Sequence, residues 1–272
     1  MPRFSRIAVC VVALVAAFHA AVGWAQTKPS VSAPKTAGIE TILYVGNSFF
    51  YFNNGIGGYV SRLAAGMPAE KRRKLTGTMV TIGGSGFDWH DLENYMRPHA
   101  IGYYNFDENN NIVFNTRKKY YDATLLMDCS QCPIHPKLSA IFFQYAKRNA
   151  QIARRHGVEP MLFMSWAYED HPEMTAKLAE AYTKAGNDNK ALVIPAGLAF
   201  ARVFAERPDL KLYVADKRHP TPIGTYLAAA TVYAAVTGQS PEDSSYEGGL
   251  APDAAKYLRK AAWETVRSYY GK

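Results

Sequence analysis

The stretch Thr41-Ile42-Leu43-Tyr44-Val45-Gly46-Asn47-Ser48-Phe49-Phe50 limits the possible folds more than any other part of the chain. Ile42 to Val45 is an unbroken apolar run with β-branched and aromatic members. Ended by glycine, it reads as a strand covered on both faces at the centre of an α/β sheet. Gly46-Asn47-Ser48 stops the strand and sets a small hydroxyl at its carboxyl end, the edge where open α/β sheets bind ligands. Asn53 and Asn54 are suited to cap a helix through Ile56, Tyr59, Val60, Leu63 and Ala64. Ser48 then lies near a helix amino terminus, where N–H groups hold developing negative charge. It is a candidate nucleophile; the competing reading is a serine that only turns the chain.

The remaining chain repeats strand, glycine turn and helix. Thr76 to Ile82 is a second strand entering Gly83-Gly84-Ser85-Gly86, with a helix from Asp88 towards Met96. Ala123 to Met127 is a third strand, followed by a helix from Pro136 to His156 with apolar residues at helical spacing. Strands at Glu159–Trp166 and Ala191–Pro195 alternate with helices at Met174–Ala185 and Ala199–Glu206, and Ile223–Thr237 and Ala251–Tyr270 close the chain as helices. Five strands alternating with helices give a three-layer α/β/α sandwich with a mostly parallel five-stranded sheet. Residues 101–121 break the rhythm. Their aromatics lack helical period and flank an asparagine run, which reads as a β-hairpin insertion over the sheet's edge or its carboxyl end. Such a hairpin is either a plain surface feature or an aromatic wall for a sugar.

Residues 1–25 have the build of a secretory signal: Arg3 and Arg6, the apolar segment Ile7 to Val22, then Gly23-Trp24-Ala25. The competing reading is an uncleaved anchor; both export the domain to the periplasm or the exterior. Residues 26–38 are polar and rich in Pro, Ser and Lys, the composition of a disordered linker, which leaves 39–272 as one domain. No later stretch approaches a membrane span, so no stable insertion is expected once the signal is cleaved. The net charge is +8, but Lys and Arg are scattered apart from 71–74 and 117–119. Without an aromatic stacking module these clusters exclude a nucleic-acid surface; an anionic polysaccharide stays open. The cysteines beyond the signal are Cys129 and Cys132, a Cys-x-x-Cys pair able to close into a small disulfide in an oxidising compartment. No cluster has metal-ligand spacing and no Gly-x-Gly-x-x-Gly opens a helix, so neither metal nor cofactor is expected.

Asp216-Lys217-Arg218-His219-Pro220 is the second chemical stretch. One local turn lets Asp216 accept the Nδ1 hydrogen of His219, fixing the tautomer and leaving Nε2 free to face Ser48. Taken in order, Gly46-Asn47-Ser48-Phe49, the Gly83-Gly84-Ser85 turn and Asp216-x-x-His219-Pro220 resemble the SGNH (GDSL-like) hydrolase superfamily, in particular the group whose first block reads Gly-Asn-Ser-Phe. The resemblance covers nearly the whole domain. It implies a flavodoxin-like fold and ester hydrolysis through an acyl-enzyme, with Ser48 as nucleophile, His219 as general base and then acid, and Asp216 as its orienting carboxylate.

The same resemblance implies an oxyanion hole from the Ser48 N–H, a glycine N–H (Gly84) and a side-chain amide of the third block. There the chain departs from the family's Gly-x-Asn-Asp: it reads Met127-Asp128-Cys129-Ser130-Gln131-Cys132, with Cys129 where asparagine is expected. Gln131 is the candidate replacement donor, and a Cys129–Cys132 disulfide would hold that loop. Asn47 and Trp166, at the ends of the first and fourth strands, complete the candidate substrate-binding residues; for Trp166 the competing reading is core packing. The leading expectation is an exported serine esterase acting on a small-molecule or polysaccharide ester, O-acetyl groups on carbohydrate among them. The alternatives are a catalytically weak carbohydrate-binding protein of the same fold and a thiol–disulfide protein built on Cys129 and Cys132. The sequence leaves oligomeric state open.

Overall fold

The computed structural model describes residues 27–97, 100–101, 104–114 and 119–272; the expected signal lies outside them. The main sheet consists of β1 (Thr41–Gly46), β2 (Thr76–Thr81), β5 (Ala123–Leu126), β6 (Glu159–Phe163) and β7 (Leu192–Ile194). All neighbours are parallel, in the order β2-β1-β5-β6-β7. This is the flavodoxin-like order, whose reversal of direction between β1 and β5 opens a crevice at the carboxyl ends of those two strands. The inner strands β1, β5 and β6 are buried along almost their whole length, as their unbroken apolar runs require.

Helices α3 (Leu92–Met96), α4 (Ser139–Arg155) and α5 (Met174–Asn189) pack together in one layer, and α2 (Ile56–Ala65), α7 (Pro222–Thr237) and α8 (Pro252–Tyr270) in the other. The helix α6 (Ala196–Glu206) touches both groups. Helix α7 is buried on nearly every side, so its sequence is apolar all round, with Thr221 capping it through the Gly224 N–H.

Three expectations are corrected here. Asn53 and Asn54 do not cap α2: both adopt positive φ, and the Asn53 amide instead donates to Pro220 O and Thr225 Oγ1 across the fold. Residues 27–38 are no free linker. They run along α5, where Thr27 and Ser30 bond to Glu180 and Asn187, and Lys35 and Thr36 donate to Glu159. The insertion is a hairpin, β3 (Tyr104–Phe106) with β4 (Ile112–Phe114), but it roots at the amino edge of the sheet. On one side Glu93 of α3 meets Arg155 and His156 at the end of α4. On the other, Lys119 pairs with Asp122, whose carboxylate accepts the N–H groups of Glu40 and Thr41 where β1 begins. The hairpin therefore gives no support to an aromatic wall beside Ser48.

Candidate active site

Ser48 is the first residue of a short helix, α1 (Ser48–Tyr51), that begins directly after β1 at the crevice. Asn47 is its N-cap: extended in backbone, it accepts the Phe49 N–H through Oδ1. Its amide donates to Ser85 O and Asp128 O, so this buried side chain ties together the segments after β1, β2 and β5. That corrects its expected place among substrate contacts, because its donors are consumed by the scaffold. Gly46 O, at the end of β1, is held by three donors: Ile82 N–H, Ser85 Oγ and His90 Nε2. His90 Nε2 also lies 2.9 Å from Ser85 Oγ, and Nδ1 faces the Tyr95 hydroxyl at 3.3 Å. Burial lowers the His90 pKa and favours the neutral ring, against the bond to Gly46 and the charge of Asp88.

The histidine loop lies after β7 and before α7. Lys217 takes a left-handed φ of 64°, and Val214 N–H bonds to His219 O, folding Val214 to His219 into a tight turn. Asp216 Oδ1 accepts the N–H groups of Arg218 and His219, both at 2.9 Å, while Oδ2 lies 2.5 Å from His219 Nδ1. Nε2 is 2.8 Å from Ser48 Oγ. Burial opposes the Asp216 charge, but the His219 ring and the two N–H groups outweigh it and hold the carboxylate down to about 2.

Aromatic rings fix the imidazole. Phe52 stacks on it with centroids 4.2 Å apart and planes 11° from parallel, and Phe49 meets it edge-on at 5.5 Å. Phe49 in turn stacks on Trp166, and Trp166 on Phe200. Trp166 is 1% exposed and donates through Nε1 to Arg218 O. Of its two expected places, pocket wall and core, it takes the core, and it carries the histidine loop on its edge. Phe52 was missed by sequence reasoning, since nothing in Phe49-Phe50-Tyr51-Phe52 distinguishes which ring meets His219.

Around Ser48 the donors are unequally available. The Ser48 N–H, first of its helix, and the N–H of exposed Gly84, which adopts a φ of 73°, have no acceptor among the described residues. In the third block the sulfurs of Cys129 and Cys132 are bonded. The Cys129 N–H is taken by Asp128 Oδ1 at 2.7 Å, so the position matching the family's asparagine has no free N–H; this corrects its candidacy. Exposed Gln131 makes no side-chain hydrogen bond to a described residue and keeps both amide hydrogens. Asp128 also accepts the Phe87 N–H, and burial pushes its carboxyl up to about 7 against those two bonds. It converges with Cys129 and Cys132, but both sulfurs are spent in the disulfide. Gly86 passes so close to Asp128 that a Cβ there would meet Oδ1 at 2.8 Å, which requires glycine in that turn.

No protein-family model and no curated protein matches the chain. Solved structures do. A DUF4886 family protein from Bacteroides uniformis superposes with a TM-score of 0.55 at 19% identity, over 82% of this chain and 93% of that one. A putative SGNH hydrolase from Slackia heliotrinireducens gives 0.52 at 20%, over 72% and 97%. An acetyl xylan esterase, AlAXEase, gives 0.52 at 16%, over 72% and 99%. The chain has the fold of the SGNH (GDSL-like) hydrolases. At these identities the likeness is one of fold.

Proposed function

We propose that this chain is an exported serine esterase that cleaves an ester, O-acetyl groups on a carbohydrate being the substrate class favoured, through a Ser48–His219–Asp216 acyl-enzyme mechanism. The observation that carries the reading is the unbroken line Ser48 Oγ, His219 Nε2, His219 Nδ1, Asp216 Oδ2, with spacings of 2.8 and 2.5 Å at the carboxyl edge of the sheet. His219 takes the Ser48 proton as Oγ attacks the carbonyl carbon, and Asp216 steadies the imidazolium. The tetrahedral oxyanion is received by the N–H groups of Ser48 and Gly84 and the amide of Gln131, each such donor being worth about 10²–10³ in turnover. The intermediate collapses when His219 protonates the leaving alcohol, and a water molecule deprotonated by His219 then releases the acid.

Support for a carbohydrate is the exposed aromatic rim after β1 and β2. Tyr51 reaches Gly83, and Trp89, 59% exposed, stands between the buried anchors Phe87 and His90. One protein of the same fold is an acetyl xylan esterase. Export rests on the apolar leader Ile7 to Val22. The test is turnover of p-nitrophenyl acetate against longer acyl chains, with fluorophosphonate labelling mapped by mass spectrometry. Acetyl preference with the label on Ser48 is expected, and Ser48→Ala is expected to lose at least about 10³-fold in turnover. An unlabelled Ser48, or an active Ser48→Ala protein, overturns the reading.

A further inference from the structure

The loop of His219 and the disulfide loop of Gln131 follow different strands, yet the proposed chemistry needs them at one fixed spacing. His219 must reach Ser48 Oγ while the Gln131 amide faces the oxygen of the same tetrahedral centre. Displacing a reacting group by about 1 Å can cost 10²-fold in rate. The segment Trp166–Asp170, which follows β6, bonds to both loops. Each of its five residues touches the histidine loop. Trp166 donates through Nε1 to Arg218 O, and Ala167 O accepts the Tyr213 hydroxyl at 2.9 Å. The Glu169 N–H bonds to Lys217 O at 2.9 Å, and the Asp170 carboxylate lies 3.5 Å from Lys217 Nζ. The Arg218 guanidinium sits 4.7 Å from the ring centre of Tyr168.

Tyr168 differs from the other four in bonding to the second loop as well: its hydroxyl lies 2.7 Å from Ser130 Oγ, beside Gln131. It is 8% exposed, so water competes poorly for either contact. Given the serine esterase reading on which this rests, we propose that Tyr168 is a positioning residue that sets the spacing between His219 and the Gln131 amide. Its ring carries the loop of His219 through Arg218, and its hydroxyl carries the loop of Gln131 through Ser130. Arg218 transmits the constraint because it is held at three points: its N–H by Asp216, its carbonyl by Trp166 and its guanidinium on the ring. The disulfide ties the ends of the second loop to each other; the Ser130 bond ties that loop to the rest of the site.

Steady-state hydrolysis of p-nitrophenyl acetate by the chain from Gln26, with fluorophosphonate labelling of each variant, is the test. Tyr168→Phe deletes the hydroxyl and keeps the ring under Arg218; Ser130→Ala deletes the same bond from the other side. Each is expected to lower kcat about 5–50-fold with KM within about two-fold of the parent, since the oxyanion forms only in the transition state. The two together should be no slower than the slower one alone, and Ser130→Thr, which keeps a hydroxyl, should retain most of the turnover. In a Gln131→Ala background the loss from Tyr168→Phe is expected to shrink below about two-fold, because the donor it places is gone. Arg218→Leu acts on the other loop and is expected to cost about 3–10-fold in either background. A residue that only supports the fold would instead lower the melting temperature and multiply its loss with that of Gln131→Ala. Parental kcat in Tyr168→Phe overturns the inference, as do an effect confined to KM, multiplying losses, or parental kcat in Arg218→Leu or Gln131→Ala. A label on Ser48 in those cases leaves the esterase reading standing, whereas an unlabelled Ser48 in the parent removes that reading and this inference with it.

Discussion

Phe52 presents its ring face to the imidazole of His219 at 4.2 Å. In the proposed mechanism that imidazole becomes a cation in the transition state, and a cation on a ring face gains about 0.5–2 kcal/mol. Phe52→Leu removes the π-face but keeps apolar bulk. The plateau kcat/KM is expected to fall about 3–30-fold. Phe52→Trp should retain it. A leucine variant as fast as the parent would mean that Phe52 is only filling space. Asp128 makes a separate prediction. Burial pushes its carboxyl up to about 7, so the folded protein keeps this proton across a window, roughly pH 4 to 7, in which the unfolded chain has lost it. Stability therefore falls as pH rises through that window, by at most about 4 kcal/mol from this group. Asp128→Asn keeps an acceptor for the Phe87 and Cys129 N–H groups and has no proton to lose. Urea denaturation at intervals from pH 4 to 8 is expected to show the decline in the parent and a flatter line in the variant; parallel lines would remove the argument.

The loop after β5 is the element on which the proposed oxyanion site leans most. The Cys129–Cys132 disulfide closes only a very short loop, so on the chain-entropy account it contributes about 2 kcal/mol to stability. Its larger effect is expected on geometry, since Gln131 sits inside the closed loop with no other side-chain tether among the described residues. Replacing both cysteines with alanine is expected to lower the melting temperature modestly and to cut p-nitrophenyl acetate turnover by about 10-fold or more, towards the loss of one oxyanion donor. Undiminished turnover in the double variant would leave the disulfide a purely structural role. Elements of this kind also show what the sequence can and cannot report. Strands β1, β5, β6 and β7 were readable because a strand buried on both faces must be apolar along its length, β2 because its β-branched residues run into a glycine turn, and the long helices because most keep an apolar face at helical spacing while α7 is apolar all round. The Asp216–His219 pairing was readable because a turn keeps it local. Asn47 and Asn53 were misassigned, and Trp166 was left between pocket and core, because their partners lie 38 to 172 residues away and depend on how segments after different strands converge. α1 escaped notice because four residues show no period.

At the scale of the molecule, the strap formed by residues 27–38 is a third layer of control on stability, although its composition suggested a linker. Glu159 opens β6 and is buried at the amino edge, where Lys35 N–H and the Thr36 hydroxyl bond to its two carboxylate oxygens. A buried carboxylate stripped of its donors keeps its desolvation cost and loses the compensation. A chain shortened to begin at Gly38 removes both donors, together with the bonds from Thr27 to Glu180 and from Ser30 to Asn187. The exposed members of that set contribute little, so Glu159 should dominate a loss of about 1–3 kcal/mol, seen as a melting temperature lower by roughly 3–10 °C. Glu159→Gln provides the control. In the full chain it replaces a well-matched carboxylate and is expected to destabilise; in the shortened chain it removes an orphaned charge and is expected to recover part of the deficit. The non-additivity of the two changes, measured by denaturation of all four proteins, isolates the contact. Turnover should stay at the parental level throughout, because the strap's carboxylate site and Ser48 lie at opposite ends of the sheet. Additive effects would mean that the strap acts through dispersed contacts and that Glu159 is satisfied without it.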